Sequence, residues 1–193
     1  MYEYIEGDFV EKSPAHLIVQ AGHMAYHIHI SVNTYSQVSN QKSGKIYLHF
    51  VVREDAQILY GFAGREEREI FRMLISVSGV GANTARLILS SLTPEEITQA
   101  ILAGNVSVLQ GIKGIGAKSA QRIIVDLKDK VGKGAGIDEL FFSQDNTSRE
   151  EALSALVALG FPKKTIDKAV TRILSEQPEL SVEELVKAAL KFM

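Results

Sequence analysis

The 193-residue chain has no cysteine, which excludes a disulfide framework, a cysteine-based metal site and a cysteine nucleophile. It also lacks charge of one dominant sign. Its 21 basic and 23 acidic side chains leave a net charge of −2, so it is not a protein coated in lysine. No apolar run approaches membrane-spanning length, and Met1-Tyr2-Glu3-Tyr4 lacks the basic and apolar regions of a secretory signal. A cytoplasmic protein without membrane contact is expected, and there the Asn-x-Ser sequons at Asn105 and Asn146 carry no meaning. Hydrophobic residues make up 46% of the chain, enough for one sizeable core or several small ones, and changes of pattern along it argue for several.

What is present is a repeat. Gly79-Val80-Gly81-Ala82-Asn83-Thr84-Ala85 returns 35 residues later as Gly114-Ile115-Gly116-Ala117-Lys118-Ser119-Ala120. Each copy sets an apolar residue between two glycines and then opens an apolar run, Leu87-Ile88-Leu89 in one case and Ile123, Ile124 and Leu127 in the other. That is a tight turn feeding a helix start, where unpaired N–H groups and the positive end of the dipole attract phosphate. Neither copy follows a strand, as a dinucleotide-binding fingerprint requires. Ile70, Phe71, Leu74 and Ile75 predict a helix before the first copy. Before the second, Thr93-Pro94-Glu95-Glu96 predicts a capped helix, and Val106, Val108 and Leu109 lead into the turn. Both copies read as helix, glycine hairpin, helix.

The stretch Gly111-Ile112-Lys113-Gly114-Ile115-Gly116-Ala117-Lys118-Ser119 nearly spells the phosphate loop of an NTPase, but Ala117 is one residue too many and no strand precedes it. Charge is modestly positive only here. Residues 65–131 hold 9 basic and 7 acidic side chains, against 4 and 6 in residues 1–64 and 8 and 10 in residues 132–193. Oriented N–H groups are therefore expected to do most of the phosphate binding, assisted by Lys113, Lys118 and Arg122. Arg86 and Arg72 fit a solvated helix face equally well.

Up to about residue 63 the period is two. Met24, Tyr26, Ile28, Ile30 and Val32 alternate with Ala25, His27, His29 and Ser31, and Ile46, Leu48, Phe50 and Val52 alternate with Tyr47, His49 and Val51. With Tyr2–Val10, His16–Gln20 and Ala56–Phe62 there are five or six strands, the size of an OB-like barrel. Tyr2, Tyr4, Tyr26, Tyr47 and Phe50 could stack unpaired bases but are assigned to core and barrel surface. His27 and His29 share a strand face without an evident third ligand, so no metal site is assigned.

After Lys130 the composition turns to glycine and polar residues, predicting a flexible linker over 132–147. Beyond it, capping boxes at Ser148–Glu151 and Ser181–Glu184, a stop at Gly160 and Pro162 at the next helix start predict a three-helix bundle. Small tethered bundles bind partners.

The paired glycine hairpins resemble the helix-hairpin-helix repeats of proteins that hold DNA by its backbone, and almost the whole chain resembles the RuvA family of Holliday-junction-binding proteins. The resemblance implies a multidomain α+β protein: an OB-like β-barrel over 1–63, a tandem helix-hairpin-helix domain over 64–131, a flexible linker over 132–147, and a UBA-like three-helix bundle over 148–193. It implies no cofactor, metal or catalytic residue. The implied DNA contacts are Gly79, Val80, Gly81, Asn83, Thr84, Gly114, Ile115, Gly116, Lys118, Ser119 and Arg122, although RuvA proteins often carry lysine where Asn83 and Ala117 stand here.

Val51-Val52-Arg53-Glu54-Asp55-Ala56-Gln57 resembles the family's acidic pin, so Glu54 and Asp55 would repel phosphate at the junction centre. Glu151 to Phe161 resembles the domain that docks on the RuvB ATPase, implying motor contacts at Leu156, Leu159, Phe161 and Leu190. A bundle also needs leucines for its core, so contact and core stay open for Leu156 and Leu159. Phe161, just past a glycine stop, is expected to be exposed. The implied partners are four-way junction DNA, the RuvB hexamer, a second to fourth copy of the chain as a homotetramer or octamer, and the RuvC resolvase. Two other readings are a helix-hairpin-helix glycosylase, which needs a catalytic lysine or aspartate after the hairpin, and a general nucleic-acid module with no motor. Asp126 and Asp129 read as helix surface.

Overall fold

In a computed structural model that describes residues 2–132, 148–177 and 180–192, the alternating segments become five strands. These are β1 (Tyr4–Lys12), β2 (His16–Ala21), β3 (Met24–Ile30), β4 (Ser43–Val52) and β5 (Gln57–Phe62). They close into a barrel in the order β1-β2-β3-β5-β4, with β4 returning to β1. Every pairing is antiparallel except β3 with β5, the OB-like arrangement expected from strand number. β1 pairs along both edges, and a register shift between Phe9 and Glu11 bends it so that the sheet can close. Ile5, Phe9, Leu17, Val19, Ile28, Ile30, Ile46 and Leu48 fill the interior.

Several strand limits differ from the pattern: β1 starts at Tyr4, β2 runs to Ala21 and β5 starts at Gln57. β1 runs to Lys12 rather than Val10, and β3 stops at Ile30, because Ser31 caps a helix, α1 (Val32–Val38), by accepting a hydrogen bond from the Thr34 amide. Val32 continues the alternation only in letters; it is an exposed residue of α1. The same Ser31 hydroxyl donates to Oε1 of buried Glu67, and Thr34 Oγ1 donates to its Oε2 at 2.6 Å. Burial raises the Glu67 pKa despite these two donors, which pull it the other way.

The helical part starts with α2 (Arg65–Ile75) and α3 (Ala82–Ser91), followed by α4 (Pro94–Ala103), α5 (Val106–Gln110) and α6 (Ala117–Gly132). The Thr93 and Glu96 capping box forms as predicted, with Pro94 in the first turn. Tyr60 and Phe62 of β5 belong to the helical core rather than to the barrel interior. Phe71 of α2 receives both, at ring distances of 5.1 and 4.9 Å, and His49 of β4 at 5.3 Å. The alternate face of β4 is thus a second packing surface. Arg68, also buried, reaches back to the start of the chain: it donates to the Glu3 carbonyl at 2.9 Å, pairs with the Glu3 carboxylate at 2.6 Å and lies over the Tyr47 ring. Arg68 holds Glu3 below the usual carboxylate range. Barrel and hairpin helices accordingly form one compact unit, and the described residues from 148 onward form a second.

The second unit is the expected bundle of α7 (Ser148–Ala158), α8 (Lys163–Glu176) and α9 (Val182–Phe192). Its core is Ala152, Leu156, Ile166, Val170, Ile173, Leu185 and Ala189. Gly160, at φ 94°, ends α7: its amide bonds Val157 O, and the Phe161 amide bonds Leu156 O. This closing pair draws Phe161 against the core, the hydrophobic contact typical of such a cap. Ser181 and Glu184 cap α9 reciprocally. The predicted linker, 132–147, lies outside the described residues except for Gly132, the last residue of α6.

A methyl group added at Gly61 of β5 would lie 2.5 Å from Ile28 Cγ2 and 2.7 Å from Ile46 Cγ2, both fully buried. Gly61→Ala is expected to destabilise the first unit by about 1–3 kcal/mol through overpacking, read as a lower midpoint in urea unfolding. For Glu67, a folded-state pKa above the unfolded one means that its contribution is full at acid pH and is lost as pH rises through the folded value. Comparing wild type with Glu67→Gln by denaturation across pH 4 to 8, the difference should shift steadily in favour of the glutamine variant as pH rises; a constant difference would contradict this.

Candidate nucleic-acid interface

The two glycine turns have the same construction. Gly79 and Gly114 take φ of 89° and 90°, left-handed values that favour glycine. Val80 and Ile115 are buried in the helical core, and their amides bond Val77 O and Ile112 O, both at 3.0 Å. Each turn is thus pinned from inside by its apolar middle residue. The backbone then enters α3 and α6. The first helical bonds run from Ala85 N to Gly81 O and from Ala120 N to Gly116 O, at 2.9 and 3.0 Å. The amides of Ala82, Asn83 and Thr84, and those of Ala117, Lys118 and Ser119, precede those bonds and have no helical acceptor. Gly81 caps α3 without any side-chain hydrogen bond.

Space in front of these amides is open. A Cβ built on Gly81 or Gly116 meets nothing within 4 Å, so glycine there preserves close approach from outside rather than internal fit. An anion arriving at either helix start meets bare N–H groups and a positive dipole end.

The hairpins also cross. Arg122 lies eight residues after Gly114, and its Nη1 donates to Ser78 O beside the first turn at 3.1 Å. Leu87 lies eight residues after Gly79, and its Cδ2 is 3.9 Å from the Cβ position of Gly114. Equivalent positions of the two repeats therefore each reach the other's turn, which makes the pair a single platform. Lys130 adds a bond to Ser76 Oγ at 3.1 Å.

Among the expected cations, Lys113 and Lys118 are exposed beside the second turn, and Arg122, also exposed, carries its guanidinium across to the first. Arg86 and Arg72 are engaged elsewhere: Arg86 donates to Ala15 O at 2.9 Å, bracing α3 on the barrel, and Arg72 pairs with Glu69 at 2.8 Å. Asn83 is exposed and accepts from Tyr60 Oη at 3.1 Å. That bond had no signal in the sequence, since Tyr60 belongs to β5. Glu54 and Asp55 are exposed at the tip of the β4–β5 hairpin, whose turn closes through Arg53 N to Ala56 O at 2.8 Å. Asp126 and Asp129 are exposed on α6, as expected.

On the bundle, the expected motor residues divide. Leu159 is 60% exposed and Leu190 42%, whereas Leu156 is fully buried in the core. Phe161 is half-buried against that core, not exposed as expected, because the cap at Gly160 folds it back.

Three family models match successive parts of the chain. "RuvA N terminal domain" covers residues 1–61, "SAM-like Helix-hairpin-helix tandem" residues 71–129 and "RuvA, C-terminal domain" residues 147–193. Relatives named "Holliday junction branch migration complex subunit RuvA" match over nearly their full length. The protein of Christiangramia forsetii is 50% identical, with 99% of each chain covered; that of Parabacteroides distasonis is 49% identical, with 100% of each covered; that of Flavobacterium psychrophilum is 47% identical, with 99% of each covered. With the barrel, the crossed hairpins and the terminal bundle all in place, the chain belongs to the RuvA family.

Proposed function

We propose that this protein binds Holliday (four-way) DNA junctions by their backbones and recruits the RuvB ATPase for branch migration in recombination and repair, as the DNA-binding, non-catalytic subunit of that complex. The observation that carries this reading is the crossed pair of hairpins, with two open rows of helix-start amides held in fixed relation. Two such ends grip two phosphate runs flanking a minor groove, and amide contacts to phosphate carry no base information. Recognition then follows DNA shape. A net charge of −2 suits this mode, since fixed dipoles replace a lysine coat.

The contacts proposed are Gly79, Val80, Gly81, Asn83 and Thr84 in the first hairpin and Gly114, Ile115, Gly116, Lys118, Ser119 and Arg122 in the second. Val80 and Ile115 act through their backbone, because their side chains are buried. Glu54 and Asp55, exposed at a hairpin tip, would repel phosphate and disfavour continuous duplex at the crossover. Four copies around a closed axis would match four arms, in the cytoplasm and with the RuvC resolvase as a further partner. No helix among the described residues is long and apolar enough to cross a membrane. Division of labour follows the expected segments: 1–63 and 64–131 for DNA, 132–147 as tether, and 148–193 for the motor. Leu159 and Leu190 supply the proposed docking surface, backed by Leu156 from the core and flanked by Phe161.

Competition gel-shift of a four-way junction against linear duplex, over a salt series, tests the platform. Strong junction preference is expected. Gly81→Asp with Gly116→Asp should weaken binding at least on the order of 100-fold, because each added carboxylate blocks a charge-assisted amide–phosphate hydrogen bond worth about 1.5–3 kcal/mol. Equal binding of both DNAs, or retained binding by the double variant, contradicts the reading. For the bundle, Leu159→Asp should reduce stimulation of the motor's ATPase on junction DNA by about tenfold or more while junction binding persists. Full stimulation would remove Leu159 from the docking surface.

A further inference from the structure

The outer wall of the barrel carries a row of imidazoles that runs into the first hairpin. His16 of β2 stacks on His27 of β3 with ring centres 4.8 Å apart; His27 meets His29 at 5.2 Å, and His29 meets Tyr60 of β5 at 5.8 Å. Tyr60 Oη then donates to Asn83 in the first turn of α3. The row forms because three outward positions converge: His16 lies opposite His29 in the β2–β3 register, and His27 is two residues from His29 on the same face. His27 is exposed, while His16 and His29 are half-buried.

Charge along this row is graded. At its far end His16 is committed, with Nε2 2.9 Å from Glu11 Oε1 and Nδ1 2.8 Å from Ser13 Oγ. At the near end, among the described residues, the charges acting on His29 and Tyr60 are cationic: Arg86 from α3, and Arg53 at the β4–β5 turn on Tyr60. Burial first, then Arg86, His27 and His16, keep His29 below the ordinary histidine value. In the free protein a positive charge on His29 is thus disfavoured unless an anion arrives. No group of three or more histidine, aspartate or glutamate side chains among the described residues is arranged to hold a metal ion, and the cations at the near end make an anion the complementary ligand.

Resting on the proposed function, we infer that this row is a second phosphate-backbone site, at which His27 and His29 contact the strand whose phosphate sits at the start of α3. His27 and His29, with ring centres 5.2 Å apart, are close enough together to contact phosphates of one strand running along the barrel wall. A phosphate beside an imidazole raises its pKa, so binding takes up protons and tightens as pH falls. The row would also add positive charge beside Asn83, to that of Arg122 at Ser78 and of Arg86 on α3.

The test is junction affinity of the full chain at pH 8 and pH 6 over a salt series, for wild type and for His27→Gln with His29→Gln, each checked by its melting temperature. In the wild type, affinity should rise by about tenfold on going to pH 6, and the double variant should lose most of that rise. Its slope of log affinity against log salt at pH 6 should also be shallower by about one to two, the number of phosphate contacts removed. Superimposable pH and salt profiles for the two proteins would overturn the inference while leaving the hairpin platform intact. Absence of wild-type junction binding at pH 8 would overturn the platform reading, and the inference with it. A pH rise abolished by a chelator would assign the row to a metal ion and likewise overturn the phosphate site.

Discussion

Everything in the first unit depends on the seam where Phe71 meets Tyr60, Phe62 and His49. β5 turns its last aromatics out of the barrel and into the helical core, so the barrel's outer wall supplies part of the core of the helices. A barrel and a small group of short helices would each bury too little alone to be more than marginal. Packing the helices on the barrel wall removes that weakness and has a geometric consequence: α2 is held on the barrel through Phe71, and the first hairpin with it. Arg68 reinforces the seam by clasping the backbone of Glu3 across it.

The second constraint is the crossing of the hairpins. With Leu87 against one turn and Arg122 bonded to the other, the two rows of free amides keep a fixed separation. Preorganisation of this sort lets neutral backbone bind a polyanion, because the donors need no ordering when phosphate arrives. It also explains how a chain with slightly more acidic than basic residues can be read as a DNA-binding protein. The open space at Gly81 and Gly116, and the buried Val80 and Ile115 behind them, are two sides of the same device: the turn is anchored inward and bare outward.

Local patterns carried much of this. The 35-residue repeat, the capping box at Thr93 and the alternation of Ile28 with His27 and His29 each reflect contacts within a few residues, and each formed as read. Elsewhere packing and caps decided what the letters left open or pointed the other way. Val32 extends an alternating run, yet Ser31 caps α1 because its hydroxyl also serves Glu67, thirty-six residues away. Phe161 follows a helix stop, a position that predicts exposure, but the Gly160 cap turns its ring onto the bundle. Leu156 and Leu159 are three residues apart and equivalent in letters; helical rotation and the packing of α9 against α7 put one in the core and the other in solvent.

By itself the sequence determined the periodicities, the two glycine turns and the caps, since these depend on φ preferences and on hydrogen bonds between near neighbours. Tertiary structure alone decided the crossing of Arg122 and Leu87, the second apolar face of β4 and the row of His16, His27 and His29 ending at Asn83. Such juxtapositions depend on barrel closure and strand register, which are set by the sum of many weak apolar contacts between residues far apart in the chain.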